Sequence, residues 1–262
     1  MLTQQQVDEI ARRLYDAEVS RRQIPQIVQV HSSLSMDEAY AIQLALIRLR
    51  HGEDRVLVGK KVALTNPAVQ RALNVDTPVF GHLMSDMVVR EGEPISCAGL
   101  TQPKIEPEIA FVMRSDLAGP GVTAAHVLAA TAGVMPALEI PAARILDWKF
   151  AAPDIAADNA FASRVVLGGV ITPVDGLDLR LLGVVLERNG QVLSTGAGAA
   201  VMGNPVDVVA WLANKLGEYD LRIKAGDVVL PGAMVVAPDV HPGEFYKATF
   251  DRLGSVTALF VE

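Results

Sequence analysis

Two glutamates in the segment KIEPEIAFVM, Glu106 and Glu108, stand two positions apart. In an extended chain such residues project from one face. Their neighbours Ile105, Ile109, Phe111 and Val112 read as buried. Paired carboxylates at the edge of an apolar core repel one another and lose solvation. One is then protonated, a basic side chain sits between them, or a cation does. Pro107 leaves a second reading open, an edge strand whose glutamates face water. Glu139, the one charged residue of VMPALEIP, shifts the balance. Three carboxylates in apolar surroundings form a hard oxygen set suited to Mg²⁺ or Mn²⁺, with positions left for water and substrate. For Glu139 alone the alternative is a buried salt bridge, with Arg144 as partner.

Lys60 and Lys61 lie in the apolar run VLVGKKVALT. If it is extended, one lysine faces each way. One is expected to be solvent-facing and the other partly buried, paired with a carboxylate, a substrate or a metal-bound anion. Asp158-Asn159 in PDIAADNAFAS could orient ligands or bond substrate oxygens, although Asp-Asn is also ordinary turn chemistry. The glycine-rich TGAGAAVMGNP (195–205) lacks the spacing of either nucleotide fingerprint, so a tight turn that lets backbone approach a neighbour is the better reading. The five histidines share no dyad or metal-pair spacing. No Gly-x-Ser-x-Gly elbow occurs, and Cys97 reads as a small packing residue.

These groups must be held by particular elements. Thr3 with Gln6 and Ser35 with Glu38 are capping-box patterns, each followed by apolar residues at helical spacing. Between them QIPQIVQVHSSLS is a connector around Pro25. Residues 55–64 look extended. Asn66-Pro67 then opens a short helix through Leu73. From about Val88 short β-branched runs dominate: 104–113, 134–140, 165–171, 183–188, 191–194, 228–230, 245–250 and 256–261. Asn189-Gly190 is the strongest hairpin signal. Helices are expected at 123–132 and at 206–216, the latter after a second Asn-Pro start. This is an α+β layout, with a helical amino-terminal segment over 1–75 and a β-rich catalytic domain over 76–262.

Composition narrows the function. The chain has 262 residues and a net charge of −7, and half of it is hydrophobic. Without a Lys/Arg run, nucleic acid and anionic membrane surfaces are not expected partners. The single cysteine excludes an internal disulfide. A polar beginning shows no signal peptide, and no apolar run reaches the roughly 18 residues of a membrane span. A cytoplasmic location is expected.

The segments VGKKVALT, KIEPEIAFV, PALEI, ADNA, LGVVLERNGQV, GAGAAVMGNP, VAWLANKL, AGDVVL and LGSVTALF run from about residue 36 to the carboxyl end. In this order the chain resembles the 2-oxopent-4-enoate hydratase and 4-oxalocrotonate decarboxylase family of the fumarylacetoacetase-like superfamily. The resemblance implies a distorted β-roll after a helical segment, and Mg²⁺ or Mn²⁺ on Glu106, Glu108 and Glu139. The family pattern G-x-K-x-G-L-T places its lysine on Lys61 and its threonine on Thr65, with Ala63 for the second glycine. Hydratases resembling this chain carry P-D-[FY]-G, whereas here Thr77-Pro78-Val79-Phe80-Gly81 puts a valine at the acid, as in the decarboxylases' T-P-I-Y-G. Valine cannot move a proton. The resemblance therefore implies decarboxylation of a 2-oxo-enedioate (4-oxalocrotonate type) to a 2-hydroxydienoate in a meta-cleavage route of aromatic degradation. The alternative is a hydratase making a 4-hydroxy-2-oxo acid. Lys61 would be the catalytic cation, with Asp158 and Asn159 as further catalytic candidates. Thr65, Val79, Phe161 (where the family has a small hydroxyl residue) and Gly232 (in the late Leu230-Pro231-Gly232-Ala233 turn) would contact substrate. A homo-oligomer, and a complex with a cognate hydratase, are also implied.

Overall fold

A computed structural model of the chain describes residues 1–51, 55–73, 75 and 77–262. Both expected capping boxes form. Thr3 opens α1 (Gln4–Ser20) and Ser35 opens α3 (Met36–Arg50), each accepting from the backbone of the residue three positions on. Val7, Ile10, Leu14 and Ala17 bury one stripe of α1, and α1 packs on α3. The intervening connector holds one turn of helix, α2 (Ile27–Val30). The buried carboxylate of Asp154 accepts from Ile27 N at 2.7 Å and Val28 N at 3.2 Å, which fastens this turn to the distant 150s.

Further along come β1 (Leu57–Ala63), α4 (Pro67–Leu73), β2 (Val79–Met84), β3 (Val88–Val89), β4 (Pro94–Ser96) and β5 (Glu106–Met113). Next are α5 (Ala124–Ala130), β6 (Thr131–Ile140), α6 (Ala152–Ala157), β7 (Arg164–Leu167), β8 (Gly183–Arg188) and β9 (Gln191–Ala197). The chain closes with α7 (Pro205–Gly217), β10 (Val228–Leu230), β11 (Phe245–Phe250) and β12 (Gly254–Val261). Seven strands form a mixed sheet in the order β2-β1-β10-β5-β6-β7-β3, and five form a second sheet, β4-β12-β11-β8-β9. The architecture is α+β, as expected.

Local chemistry explains most boundaries. Asn66 and Asn204 cap α4 and α7 through their side-chain oxygens. Asn189 and Gly190 both take positive φ, 52° and 78°, to turn β8 into β9. The helix expected to Ala132 stops at Ala130, and β6 starts at once with Thr131. Strand β5 begins at Glu106 rather than 104, because Lys104 makes only an isolated bridge to Asp239. The glycine-rich turn behaves as read: a Cβ on Gly196 would lie 2.1 Å from Met234 O, and one on Gly198 1.9 Å from Leu179 O. Strand β1 lies before the expected boundary at 75/76, yet it is hydrogen-bonded on both sides within the large sheet. Asp76, where the second region was expected to begin, lies outside the described residues.

Register sets the faces of the large sheet. Directly opposed residues share a face, so the pairings Glu106–Glu139, Glu108–Ala137 and Lys61–Leu230 put the three glutamates, Lys61 and Leu230 on one side. An apolar plug of Leu83, Ala110, Met135, Ala137 and Leu230 fills the rest of that side. The larger core, including Phe111, Val134 and Val229, covers the other.

Candidate metal centre and cleft

Glu106 and Glu139 form a directly opposed cross-strand pair, and Glu108 sits one pleat along. Opposed like charges destabilise a ladder. Glu108 and Glu139 are wholly buried, and Glu106 is half-buried. One ligand oxygen from each lies within 4.8 Å of the others. Gly232 N donates to Glu108 Oε2 at 2.6 Å, while Glu108 Oε1 and Glu139 Oε1 accept no hydrogen bond. Burial, reinforced by Glu139 and opposed by Lys61, raises the Glu106 carboxyl to about 7. Burial together with both neighbouring carboxylates pushes Glu108 well above the usual range. Orphaned buried oxygens and an oxygen-only donor set fit a hard divalent cation.

Among the described residues Lys61 is the lysine ion-paired with this cluster, its Nζ 3.2 Å from Glu139 Oε2. It also donates to Ala160 O at 2.9 Å. Burial opposes its charge, but Glu139, Glu106 and Glu108 outweigh burial and raise its pKa. Lys60 points to the other face and was expected to meet solvent if Lys61 did not. Instead it is 5 % exposed, because the larger core covers that face. Its Nζ lies 3.9 Å from Asp227 Oδ2 and 3.4 Å from Gly59 O. Burial draws its pKa down, against Asp227.

Asp158 and Asn159 stand differently from their expected catalytic roles. Arg144 takes both Asp158 oxygens, N to Oδ2 at 2.9 Å and Nε to Oδ1 at 2.5 Å. Its remaining guanidinium nitrogens reach the carbonyls of Asp158, Ala142 and Ala162. Arg144 therefore partners Asp158, not Glu139. Asn159 Oδ1 accepts from His82 N at 2.7 Å, and Asn159 Nδ2 donates to His82 O at 2.9 Å, mimicking a strand along β2. Both side chains are spent on scaffold. Between them they hold three successive left-handed residues, Asn159, Ala160 and Phe161, at φ 52°, 50° and 60°. Such a run costs energy for L-residues and persists only when its surroundings over-determine it. It aims the Ala160 carbonyl at Lys61 and sets the Phe161 ring on the cavity wall.

The cavity has a volume of about 300 Å³ and is lined by Lys61, Thr65 and Glu106 at its charged end. Trp148, Phe150, Phe161 and Val236 give it an apolar wall. The three aromatic rings pack edge-on or tilted, with centroids 5.0 to 6.1 Å apart. Thr65 and Gly232 meet at the charged end: Gly232 has φ 123°, and a Cβ there would lie 1.9 Å from Thr65 Oγ1. Phe161, Thr65 and Gly232 thus stand where substrate contacts were expected. Val79 does not line the cavity; it is fully buried on β2 opposite Ala63. Its strand is covered on both faces, which turns Val79 into the core. Sequence reasoning missed Lys104, which also lines the cavity. Its two-residue spacing from Glu106 was the available signal.

Residues 57–261 match the family model described as fumarylacetoacetate (FAA) hydrolase C-terminal. The chain is 38 % identical to 2-hydroxyhexa-2,4-dienoate hydratase of Comamonas testosteroni over 264 residues, covering 100 % of both chains. It is also 38 % identical to 4-oxalocrotonate decarboxylase of Pseudomonas sp. (strain CF600) over 260 residues, covering 99 % of this chain and 98 % of that one. The fold superposes on 4-oxalocrotonate decarboxylase from Pseudomonas putida G7, complexed with magnesium and adipate, with a TM-score of 0.97 at 36 % identity. That match covers 100 % of this chain and 99 % of the other.

Proposed function

The chain belongs to the fumarylacetoacetate hydrolase family, and from that membership we propose that it is a metal-dependent lyase that decarboxylates a 2-oxo-enedioate. One observation carries the choice. Away from Glu106 and the two lysines, every described side chain lining the cavity is apolar except Thr65 and Asn66. Among the described residues no carboxylate other than Glu106 and no imidazole lines the cavity to activate a water, so releasing CO₂ suits this lining better than adding water across a double bond.

Glu106, Glu108 and Glu139 would hold Mg²⁺ or Mn²⁺, and the bound ion would supply Lewis-acid stabilisation to a 2-oxo acid. Gly232 N orients Glu108. Lys61, anchored by Ala160 O and Glu139, keeps one of its three N–H donors for a ligand. Its raised pKa keeps it cationic, so it stabilises negative charge developing at the 2-oxo oxygen. The electron pair of the breaking bond to the distal carboxylate passes through the alkene into the 2-oxo group, which leaves CO₂ and, after protonation, a 2-hydroxydienoate. The aromatic wall excludes water where charge disperses as CO₂ departs. The identity to a hydratase supports the second reading, hydration of a 2-hydroxydienoate.

The family resemblance further supports a homo-oligomer, a complex with a cognate hydratase and a place in meta-cleavage aromatic catabolism. No helix among the described residues is long and apolar enough to cross a membrane, which accords with a cytoplasmic enzyme.

The test is incubation of the Mg²⁺-loaded protein with 2-oxo-3-hexenedioate, following CO₂ and dienoate absorbance. One CO₂ per substrate, abolished by EDTA, is expected. Hydration of 2-hydroxypenta-2,4-dienoate with no CO₂ from the diacid would overturn the reading in favour of the hydratase.

A further inference from the structure

Lys104 is the second cation of the cavity, and the proposed chemistry leaves it without a task. Its Nζ stands 4.9 Å from the Trp148 ring centroid, although its charge is also felt at Glu106. It is also bonded to Asp239 Oδ1 at 2.5 Å. The two ends of the cavity differ in their charge balance. Three carboxylates and Lys61 become neutral once a divalent ion is held, and that end has donors for the 1-carboxylate and 2-oxo group. A second carboxylate away from the glutamates would meet the apolar lining of Trp148, Phe150, Phe161 and Val236, where an unpaired charge is costly. Lys104 alone can partner it there among the described residues.

Changing partners costs Lys104 little. The Asp239 side chain is 66 % exposed, and an ion pair so open to water contributes little net stability. Asp239 can rehydrate when the ammonium turns inward. Contact with the Trp148 face keeps that ammonium beside the wall in either position. The backbone supports the placement: Lys104 N donates to Pro141 O, and Pro141 itself lines the cavity.

We propose that Lys104 binds the distal carboxylate of the substrate and makes the cavity selective for 2-oxo dicarboxylates over 2-oxo monocarboxylates of equal length. This rests on the decarboxylase reading for its substrate class, but it is a statement about binding and is tested as one. The Mg²⁺-loaded protein is titrated calorimetrically with 2-oxoadipate and with 2-oxohexanoate, neither of which can undergo the reaction. The wild type should bind the diacid at least about tenfold more tightly. Lys104→Met should erase that preference by raising the diacid Kd about tenfold, leaving the monoacid within about twofold. Lys104→Arg should recover most of it. Should Lys104→Met fail to fold, as judged by circular dichroism, Lys104→Gln serves for the same comparison. Equal affinity of the wild type for the two acids, or equal weakening of both by the substitution, overturns the proposal. CO₂ release from the unsaturated diacid, measured in parallel, separates the two readings. Absence of CO₂ with a Lys104-dependent diacid preference sinks the decarboxylase alone. CO₂ release with a preference indifferent to Lys104 sinks this proposal alone.

Discussion

Two of the buried centres of charge in this protein are finished to different degrees. At Arg144 and Asp158, both carboxylate oxygens are bonded and the guanidinium nitrogens also reach three backbone carbonyls. At Glu106, Glu108 and Glu139, one ammonium serves three carboxylates, and two buried oxygens accept nothing. Burial alone therefore does not mark a working site. A buried charge whose bonds are complete holds the fold, whereas one left incomplete is shaped for something that arrives later.

The sharpest way to break this contrast is to remove one charge from each centre. Glu108→Gln should lower activity on the order of 10³-fold and abolish Mg²⁺ binding by calorimetry. In the metal-free protein it should hold or raise the melting temperature, because a buried carboxyl disfavoured by burial and by its two acidic neighbours is gone. Arg144→Ala should act in the opposite sense, costing about 3–5 kcal/mol in denaturant unfolding by stranding Asp158. If Glu108→Gln destabilised the metal-free chain as much, the distinction between the centres would collapse.

Adjacent lysines sharpen it further. Lys61→Ala should reduce kcat about 10²–10³-fold. Lys60→Ala should change kcat less than about tenfold and instead cost about 1–3 kcal/mol by leaving buried Asp227 with the Lys224 amide but no cation. The reverse ranking would transfer the catalytic role to Lys60. The smallest effect is on pH dependence. Glu106 titrates at about 7 in the folded chain instead of near 4.5, so between those values the folded state holds more protons than the unfolded one. Metal-free stability should then fall as pH rises through that window. Saturating Mg²⁺, which binds the deprotonated carboxylates, should flatten or reverse the trend. Melting curves at both ends of the window, with and without Mg²⁺, decide it.

What was legible in the sequence was whatever local chemistry decides. Thr3 with Gln6, Ser35 with Glu38 and Asn189-Gly190 act within a few residues of themselves, and all three signals hold in the structure. Glu106, Glu108 and Glu139 all announced themselves by charge in apolar company, and cross-strand register then set Glu139 opposite Glu106. Strand β2 was missed because all six of its residues are buried. Gly81 and His82 stand in its middle, so it has neither alternation nor strong β propensity. Lys60 was misjudged because strand periodicity gives the face of a side chain but not what covers that face. Asp158 and Asn159 look like site residues by type. Their partners, Arg144 and the His82 backbone, belong to separate segments, and no local pattern connects them. Family resemblance filled part of this gap, but its placing of Val79 against substrate did not survive the packing of β2.

The close approach of Gly232 to Thr65 bears on how such a protein can diversify. Any side chain at 232 would collide with Thr65 and disturb the amide that steadies Glu108, so this corner has almost no neighbouring sequences to explore. Trp148, Phe150 and Val236 line the same cavity, and among the described residues no hydrogen bond ties them to the glutamates. New substrates are therefore reachable by repainting that wall, while the apparatus that takes hold of the 2-oxo acid passes unchanged from one specificity to the next.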